Sequence, residues 1–120
     1  MEHYYIGIDA GSVSVNAVVV NDKAELVFEY PYKRHLGAVE TSVLEIIDEL
    51  SLRFAFNRVR ALAFTGNHGS IISDRIGGFY EFESIAQILG SVFLQPDVRT
   101  IISMGGQDIA LYILSHNGGT

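Results

Sequence analysis

The stretch Gly7–Ser12, Gly-Ile-Asp-Ala-Gly-Ser, decides the fold, because Ile101–Gly106 repeats its design near the other end of the chain. Each combines an apolar run with a short glycine turn, and the apolar runs that follow also match, Val15–Val20 against Ile109–Leu114. This pattern predicts two β-hairpins of the same kind. A glycine turn lets backbone N–H groups approach an anion that a Cβ would keep away. Two such turns facing each other would hold a polyphosphate from both sides.

The composition indicates one globular domain. Of 120 residues, 48% are hydrophobic and 18% are charged, which suits a packed core and is unlike a disordered chain. The net charge of −6 argues against a nucleic-acid partner, whose binding depends on clustered Lys and Arg. The sequence has no cysteine, which excludes disulfides and thiolate ligands for metals or iron–sulfur clusters within it.

The sequence shows neither a signal segment nor a membrane span. Its first residues lack a basic region followed by an apolar segment. No apolar run approaches the roughly 20 residues that cross a bilayer. We therefore expect a soluble protein of the cytoplasm without a membrane partner.

The hydrophobic pattern predicts an α/β fold. β-branched and aromatic runs joined by short polar turns indicate an antiparallel meander of three strands, and apolar residues at helical spacing indicate helices. The predicted elements, in chain order, are strands over residues 4–9, 13–21 and 25–32, a helix over 38–54, a strand over 60–65, helices over 70–75 and 83–94, and strands over 100–104 and 108–114.

This order predicts a first lobe over residues 1–97 and the opening hairpin of a second lobe over residues 98–120. In the first lobe, parallel strands extend the meander and helices pack on it. Because a lone two-stranded hairpin is marginal in water, we expect the chain to be a fragment of a two-lobed protein. Alternatively, the hairpin adds to the edge of the first sheet. Its apolar surface could also join a second copy, giving a homodimer.

The first hairpin carries the first set of candidate site residues. The carboxylate of Asp9 can hold Mg²⁺ through water, while Gly11, Ser12 and Val13 offer backbone N–H groups to phosphate oxygens. The alternative is an ordinary turn in which the aspartate bonds its own backbone. The internal repeat favours the phosphate interpretation.

The second hairpin carries the remaining candidates. Gly105 and Gly106 would again offer backbone N–H groups, Gln107 would orient an attacking water, and Asp108 would act as a base or outer-shell metal ligand. Equally, Gln107 is a turn amide and Asp108 the exposed first residue of a strand. Ser103 stands where the first copy has Asp9, so a metal would be held from one side only.

Two further features are less informative. The loop Thr65–Ser70 follows a strand, where α/β proteins place ligands, but it lacks the spacing of a P-loop, and a linker role is favoured. The four histidines, His3, His35, His68 and His116, have no spacing that predicts a zinc or nucleophile–histidine site.

The two hairpin sequences resemble a known superfamily. Gly7–Val20 resembles the first phosphate-binding hairpin of the actin, heat-shock chaperone and sugar kinase superfamily. Within it, the closest likeness is to the ATPase activators of 2-hydroxyacyl-CoA dehydratases and the ATPase subunits of benzoyl-CoA reductases. Thr100–Asp108 follows that family's stretch ending in D-I-G-G-Q-D. Gly11–Asn16 and Pro31–Gly37 are more similar to its long, tandem-repeat members.

This resemblance implies a ribonuclease H-like fold with Mg-ATP bound between two lobes. It implies the first phosphate role for Asp9, Gly11 and Ser12, and the second for Gly105–Asp108. In the family, ATP hydrolysis drives a rearrangement that passes an electron from a [4Fe–4S] cluster to a dehydratase or reductase acting on a CoA ester. The expected function is that of the N-terminal part of such an activase, inactive in isolation.

Several departures from the family's pattern leave a second interpretation open. Asn16 replaces a common lysine, Ser103 replaces the second carboxylate, and Thr65–Gly69 reads Thr-Gly-Asn-His-Gly where the family has Thr-Gly-Tyr-Gly-Arg. In relatives, the cluster cysteines and the adenosine motif lie beyond Thr120. The alternative is a degenerate, non-catalytic ribonuclease H-like module used for assembly or docking.

Overall fold

The computed structural model of the chain describes residues 2–104 and 109–114. The chain divides into two compact units, Met1–Glu81 and Phe82–Thr120. The lobe boundary expected after residue 97 concerns the complete two-lobed protein and stays a prediction.

The first unit contains most of the regular structure. Its elements are β1 (Tyr4–Ala10), β2 (Ser14–Asn21), β3 (Leu26–Glu29), β4 (Lys33–Arg34), α1 (Val39–Arg53), a 3-10 turn (Phe56–Arg58), β5 (Val59–Thr65), α2 (Gly69–Ile76) and β6 (Phe79–Tyr80).

These strands form one mixed sheet with the order β3-β2-β1-β5-β6, and β4 also pairs with β2. β1, β2 and β3 are antiparallel neighbours, whereas β5 runs parallel to β1 and β6 runs parallel to β5. The predicted mixed α/β fold is confirmed, with its meander and its parallel extension. The two-residue strands β4 and β6 were not predicted, and β3 is shorter than the expected 25–32.

The core lies on one face of this sheet. Inward positions alternate along β1 (Ile6, Ile8, Ala10) and β2 (Val15, Ala17, Val19), as the strand period requires. Helix α1 covers this face with Val43, Ile46 and Leu50, and α2 adds Ile72. Because the helices lie on this face, the alternate residues of β1, Asp9 among them, belong to the opposite face.

The second unit contains α3 (Glu83–Leu94), β7 (Thr100–Met104) and β8 (Ile109–Ile113). β7 and β8 pair as an antiparallel hairpin, in register from Thr100 opposite Ile113 to Met104 opposite Ile109. The helix expected over 83–94 and the strand expected over 100–104 are present at those bounds. Within residues 2–104 and 109–114, no helix is long and apolar enough to cross a membrane.

Candidate functional site

Asp9 lies at the carboxyl end of β1, between two neighbouring strands. In the sheet, Asp9 is paired with Asn16 on the antiparallel strand β2 and with Thr65 on the parallel strand β5. Side chains at paired positions share a face of the sheet, so all three lie on the face that α1 and α2 leave uncovered. Asp9 and Thr65 are half-buried, and Asn16 is exposed. Asn16 Nδ2 donates to Ser14 Oγ at 3.3 Å.

The hairpin after Asp9 has a three-residue connection, Gly11–Val13. The Gly11 N–H donates to the Ser14 carbonyl at 3.0 Å and closes the turn. The Gly11 N–H is thus engaged within the turn in this conformation, and its role toward a phosphate stays a prediction. In the described part of the chain, no hydrogen bond engages the N–H groups of Ser12 and Val13, which leaves these two as candidate donors.

The loop after β5 packs directly against the end of β1. Gly66 has a φ of +92°, and a Cβ there would lie 2.5 Å from both the Ala10 carbonyl oxygen and Asp9 Oδ1. The His68 N–H donates to the same Ala10 carbonyl at 3.0 Å. The Thr65 hydroxyl is buried and has no hydrogen-bond partner among the described residues. This loop therefore contacts the end of β1 beside Asp9, and its favoured role as a linker stays a prediction.

The rings of His35 and His68, which are far apart in sequence, pack against each other next to the Gly11–Val13 turn. The ring centroids of His35 and His68 are 6.0 Å apart, with the rings nearly perpendicular at 81°. His35 Nε2 lies 2.9 Å from the Gly11 carbonyl oxygen. Sequence spacing could not show this contact, because it depends on β4 pairing with β2 and on the loop after β5 reaching Ala10.

The surroundings of Asp9 fit a cation that takes most of its ligands from water and phosphate oxygens. The described residues contain no group of three or more His, Cys, Asp or Glu side chains able to hold a metal. A magnesium ion commonly binds through one or two carboxylates and completes its octahedron with water and phosphate oxygens. One carboxylate beside two backbone N–H donors fits that mode of binding.

The remaining candidate residues belong to the segment between β7 and β8 in the sequence. Gly105, Gly106, Gln107 and Asp108 are outside the described residues, so their roles stay predictions. Ser103 lies in β7, opposite Ala110 of β8.

Comparison with known proteins gives a sequence relative. No family model matches the chain. The chain is 29% identical over 113 residues to the (R)-2-hydroxyglutaryl-CoA dehydratase activating ATPase of Acidaminococcus fermentans. The match takes in 91% of this chain and 42% of that protein. The chain thus spans less than half the length of this relative.

Solved structures give the same fold. Component A of the (R)-2-hydroxyglutaryl-CoA dehydratase of Acidaminococcus fermentans superposes with a TM-score of 0.80 at 24% identity, covering 97% of this chain and 44% of that one. The activator of the 2-hydroxyisocaproyl-CoA dehydratase of Clostridium difficile, solved with bound ADPNP, gives 0.79 at 24% identity, covering 96% and 42%. A Ppx/GppA family protein of Aquifex aeolicus gives 0.55 at 13% identity, over 91% of this chain and 46% of that one. The resemblance to the ATPase activators of 2-hydroxyacyl-CoA dehydratases is thereby confirmed, in sequence by the first relative and in fold by the two activator structures.

Proposed function

We propose that this chain is the nucleotide-binding first part of an ATP-dependent activase, and that the hairpin from Asp9 to Val13 binds the phosphates of Mg-ATP. The proposal depends on the groups that lie together at the carboxyl end of β1. There a carboxylate, two N–H groups without a hydrogen bond in the described residues, and the Gly66 loop meet where parallel strands end. Open α/β sheets bind ligands at that edge.

The proposed roles follow from the positions of the groups. Asp9 holds magnesium through water, and the N–H groups of Ser12 and Val13 donate to phosphate oxygens, with Gly11 keeping the turn free of a side chain. Gly105, Gly106, Gln107 and Asp108 supply the second side of the phosphate site, with Gln107 and Asp108 acting on the attacking water. The sheet with its covering helices is, in this proposal, the first lobe of a ribonuclease H-like fold.

The proposed activity of the complete protein is the coupling of ATP hydrolysis to activation of a partner enzyme. The sequence relative is the activating ATPase of a 2-hydroxyacyl-CoA dehydratase, which supports a dehydratase that acts on a CoA ester as the partner. The sequence has no cysteine, so its residues supply no thiolate ligand to an iron–sulfur cluster, and we assign it no electron-transfer step. A cysteine-free chain also suits the reducing cytoplasm, which is the compartment we propose.

Calorimetric titration of the full-length protein with Mg-ATP tests the nucleotide site. Asp9→Asn removes the proposed metal-binding charge and should weaken binding by at least about tenfold. Asp74→Asn is the matched control, because it removes the same charge from an exposed position on α2 and should change affinity less than about twofold. Equal affinities for the wild type and Asp9→Asn would refute the proposed site.

A non-catalytic assembly module is the second candidate, and Ser103 favours it. A hydroxyl is a weaker magnesium ligand than a carboxylate. With Ser103 in the second hairpin, only Asp9 of the first would offer a carboxylate to the metal ion used in hydrolysis. Measuring the ATPase activity of Ser103→Asp separates the candidates: a gain from an inactive wild type supports degeneracy, and an active wild type excludes it.

A further inference from the structure

His35 lies directly behind the Gly11–Val13 turn and is held there from several sides. Strand β4 places it, because Lys33 and Arg34 pair with Val15 and Ser14 of β2, and the His35 N–H then donates to the Val13 carbonyl at 3.2 Å. Lys33 also pairs with Glu45 of α1 at 3.1 Å. His35 is only 7% exposed, so its ring nitrogens need hydrogen-bond partners within the protein.

Both ring nitrogens of His35 are engaged, and this fixes the proton on the ring. The Gly37 N–H donates to Nδ1 at 3.0 Å, which the backbone achieves through two left-handed residues, Leu36 at a φ of +51° and Gly37 at +86°. A nitrogen that accepts a hydrogen bond carries no proton, which places the ring proton on Nε2. Nε2–H therefore donates to the Gly11 carbonyl, 2.9 Å away.

This hydrogen bond also sets the direction of the next N–H. The Gly11 carbonyl and the Ser12 N–H belong to the same peptide group, and no cis peptide bond occurs among the described residues. In a trans peptide the C=O and N–H bonds point in opposite directions. With its carbonyl bonded to His35, the group directs the Ser12 N–H away from the ring.

The preceding peptide group, between Ala10 and Gly11, is also held by hydrogen bonds. The Ala10 carbonyl accepts from the His68 N–H at 3.0 Å, while the Gly11 N–H donates to the Ser14 carbonyl at 3.0 Å. Glycine restricts its own torsion angles less than any other residue, so the peptide that follows Gly11 depends on a hydrogen bond for its orientation. Rotating it by half a turn would present a carbonyl oxygen, which repels phosphate, in place of an N–H.

We propose that His35 is a positioning residue that holds the Ser12 N–H toward the phosphate of a bound nucleoside triphosphate. This inference rests on the proposed function of the hairpin. The ring does not touch the phosphate in this assignment. Its contribution is to keep the Gly11–Ser12 peptide in the orientation that binds an anion, so that binding does not have to reorient it.

Two amide variants of the full-length protein test this assignment. In His35→Gln the side-chain amide reaches the position of Nε2 and can still donate to Gly11. In His35→Asn it reaches only the position of Nδ1 and cannot. Both remove the imidazole ring, so loss of packing against His68 is common to them. We expect His35→Asn to weaken Mg-ATP binding by at least about tenfold, and His35→Gln to recover most of that loss.

The outcomes separate the inference from the proposed function. Equal losses in both variants, with wild-type binding intact, would overturn the positioning role and leave the nucleotide site standing. Absence of Mg-ATP binding in the wild type would overturn the nucleotide site. NMR of isotope-labelled histidine decides the positioning geometry without a nucleotide: we expect a protonated Nε2 and an unprotonated Nδ1 on His35, and the opposite tautomer would overturn it.

Discussion

Gly66 occupies a position that an L-residue cannot take without moving the end of β1. Its φ of +92° favours glycine, and a Cβ would lie 2.5 Å from the Ala10 carbonyl oxygen and Asp9 Oδ1. We expect Gly66→Ala to lower the free energy of unfolding by about 3 kcal/mol or more, as left-handed strain and a backbone clash add. Urea denaturation of the full-length protein measures this.

Gly37→Ala is the matched control for Gly66→Ala. Gly37 also has a positive φ, +86°, but a Cβ there would meet nothing within 4 Å. Its cost should be only the backbone strain, about 1–2 kcal/mol. Equal destabilisation by the two substitutions would show that the contact of Gly66 with β1 adds nothing to stability.

Asn16 is the residue at which a single charge should change nucleotide affinity. It lies opposite Asp9, on the exposed side of β2. A lysine there would add a cation beside the proposed phosphate site. We expect Asn16→Lys to tighten Mg-ATP binding by about three- to tenfold at low ionic strength, with the gain falling as salt screens it. Asn16→Gln, measured alongside by calorimetry, should leave affinity near the wild type, and a salt-independent gain would contradict the electrostatic explanation.

At the scale of single residues, the sequence could suggest residues whose type carries chemistry, but not those whose importance depends on position. Asp9, Ser12 and Val13 could be proposed because a carboxylate and a glycine turn follow an apolar run. Gly66 and His35 could not, because their importance comes from contacts with Ala10 and Gly11, made by segments distant in sequence. A lone histidine or glycine gives no such signal.

Among the elements, those with a clear period were predictable and those formed by pairing alone were not. Helix α3 follows its apolar spacing, and β1 and β2 follow their β-branched runs. Strands β4 and β6 have two residues each, too few to show a period. They exist because β2 and β5 have edges that accept them, which is tertiary information.

The hydrogen bond between Tyr30, which follows β3, and Glu49 of helix α1 predicts how stability depends on pH. The Tyr30 hydroxyl donates to Glu49 Oε2 at 2.6 Å. This hydrogen bond, with smaller effects of burial and of the negative charges of Glu49 and Glu45, raises the pKa of Tyr30 from 10.0 to about 12. Because the folded-state pKa is raised, the stability gained is present below pH 10 and is lost between pH 10 and about 12.

Spectrophotometric titration of tyrosinate, taken as the difference between the wild type and Tyr30→Phe, measures this pKa. Glu49→Gln should return it toward 10, because the charged acceptor is removed. The stability difference between wild type and Tyr30→Phe should shrink across the same pH range. Ionisation of Tyr30 at its ordinary value in the wild type would show that the hydrogen bond to Glu49 does not persist in solution.

At the scale of the whole molecule, the chain contains both hairpins that are proposed to bind the phosphates. It spans 42% of its sequence relative. If the remaining donors come from a second lobe, residues 1–120 alone should bind Mg-ATP far more weakly than the full-length protein, by about a hundredfold or more. Side-by-side calorimetry decides this, and comparable affinities would mean that the first lobe binds the nucleotide unaided.

The close approach of Gly66 to β1 also determines how movement would spread from the hairpin. The Ala10 carbonyl accepts from the His68 N–H, and the His68 carbonyl in turn accepts from Ile72 within α2. Movement of the Ala10 carbonyl would therefore either break this series of hydrogen bonds or shift the first turn of α2 with it. Arg75, near the far end of α2, binds Glu40 of α1 at 2.9 Å. The Arg75–Glu40 pair is exposed, so it gives α1 only a weak further link to this series of hydrogen bonds.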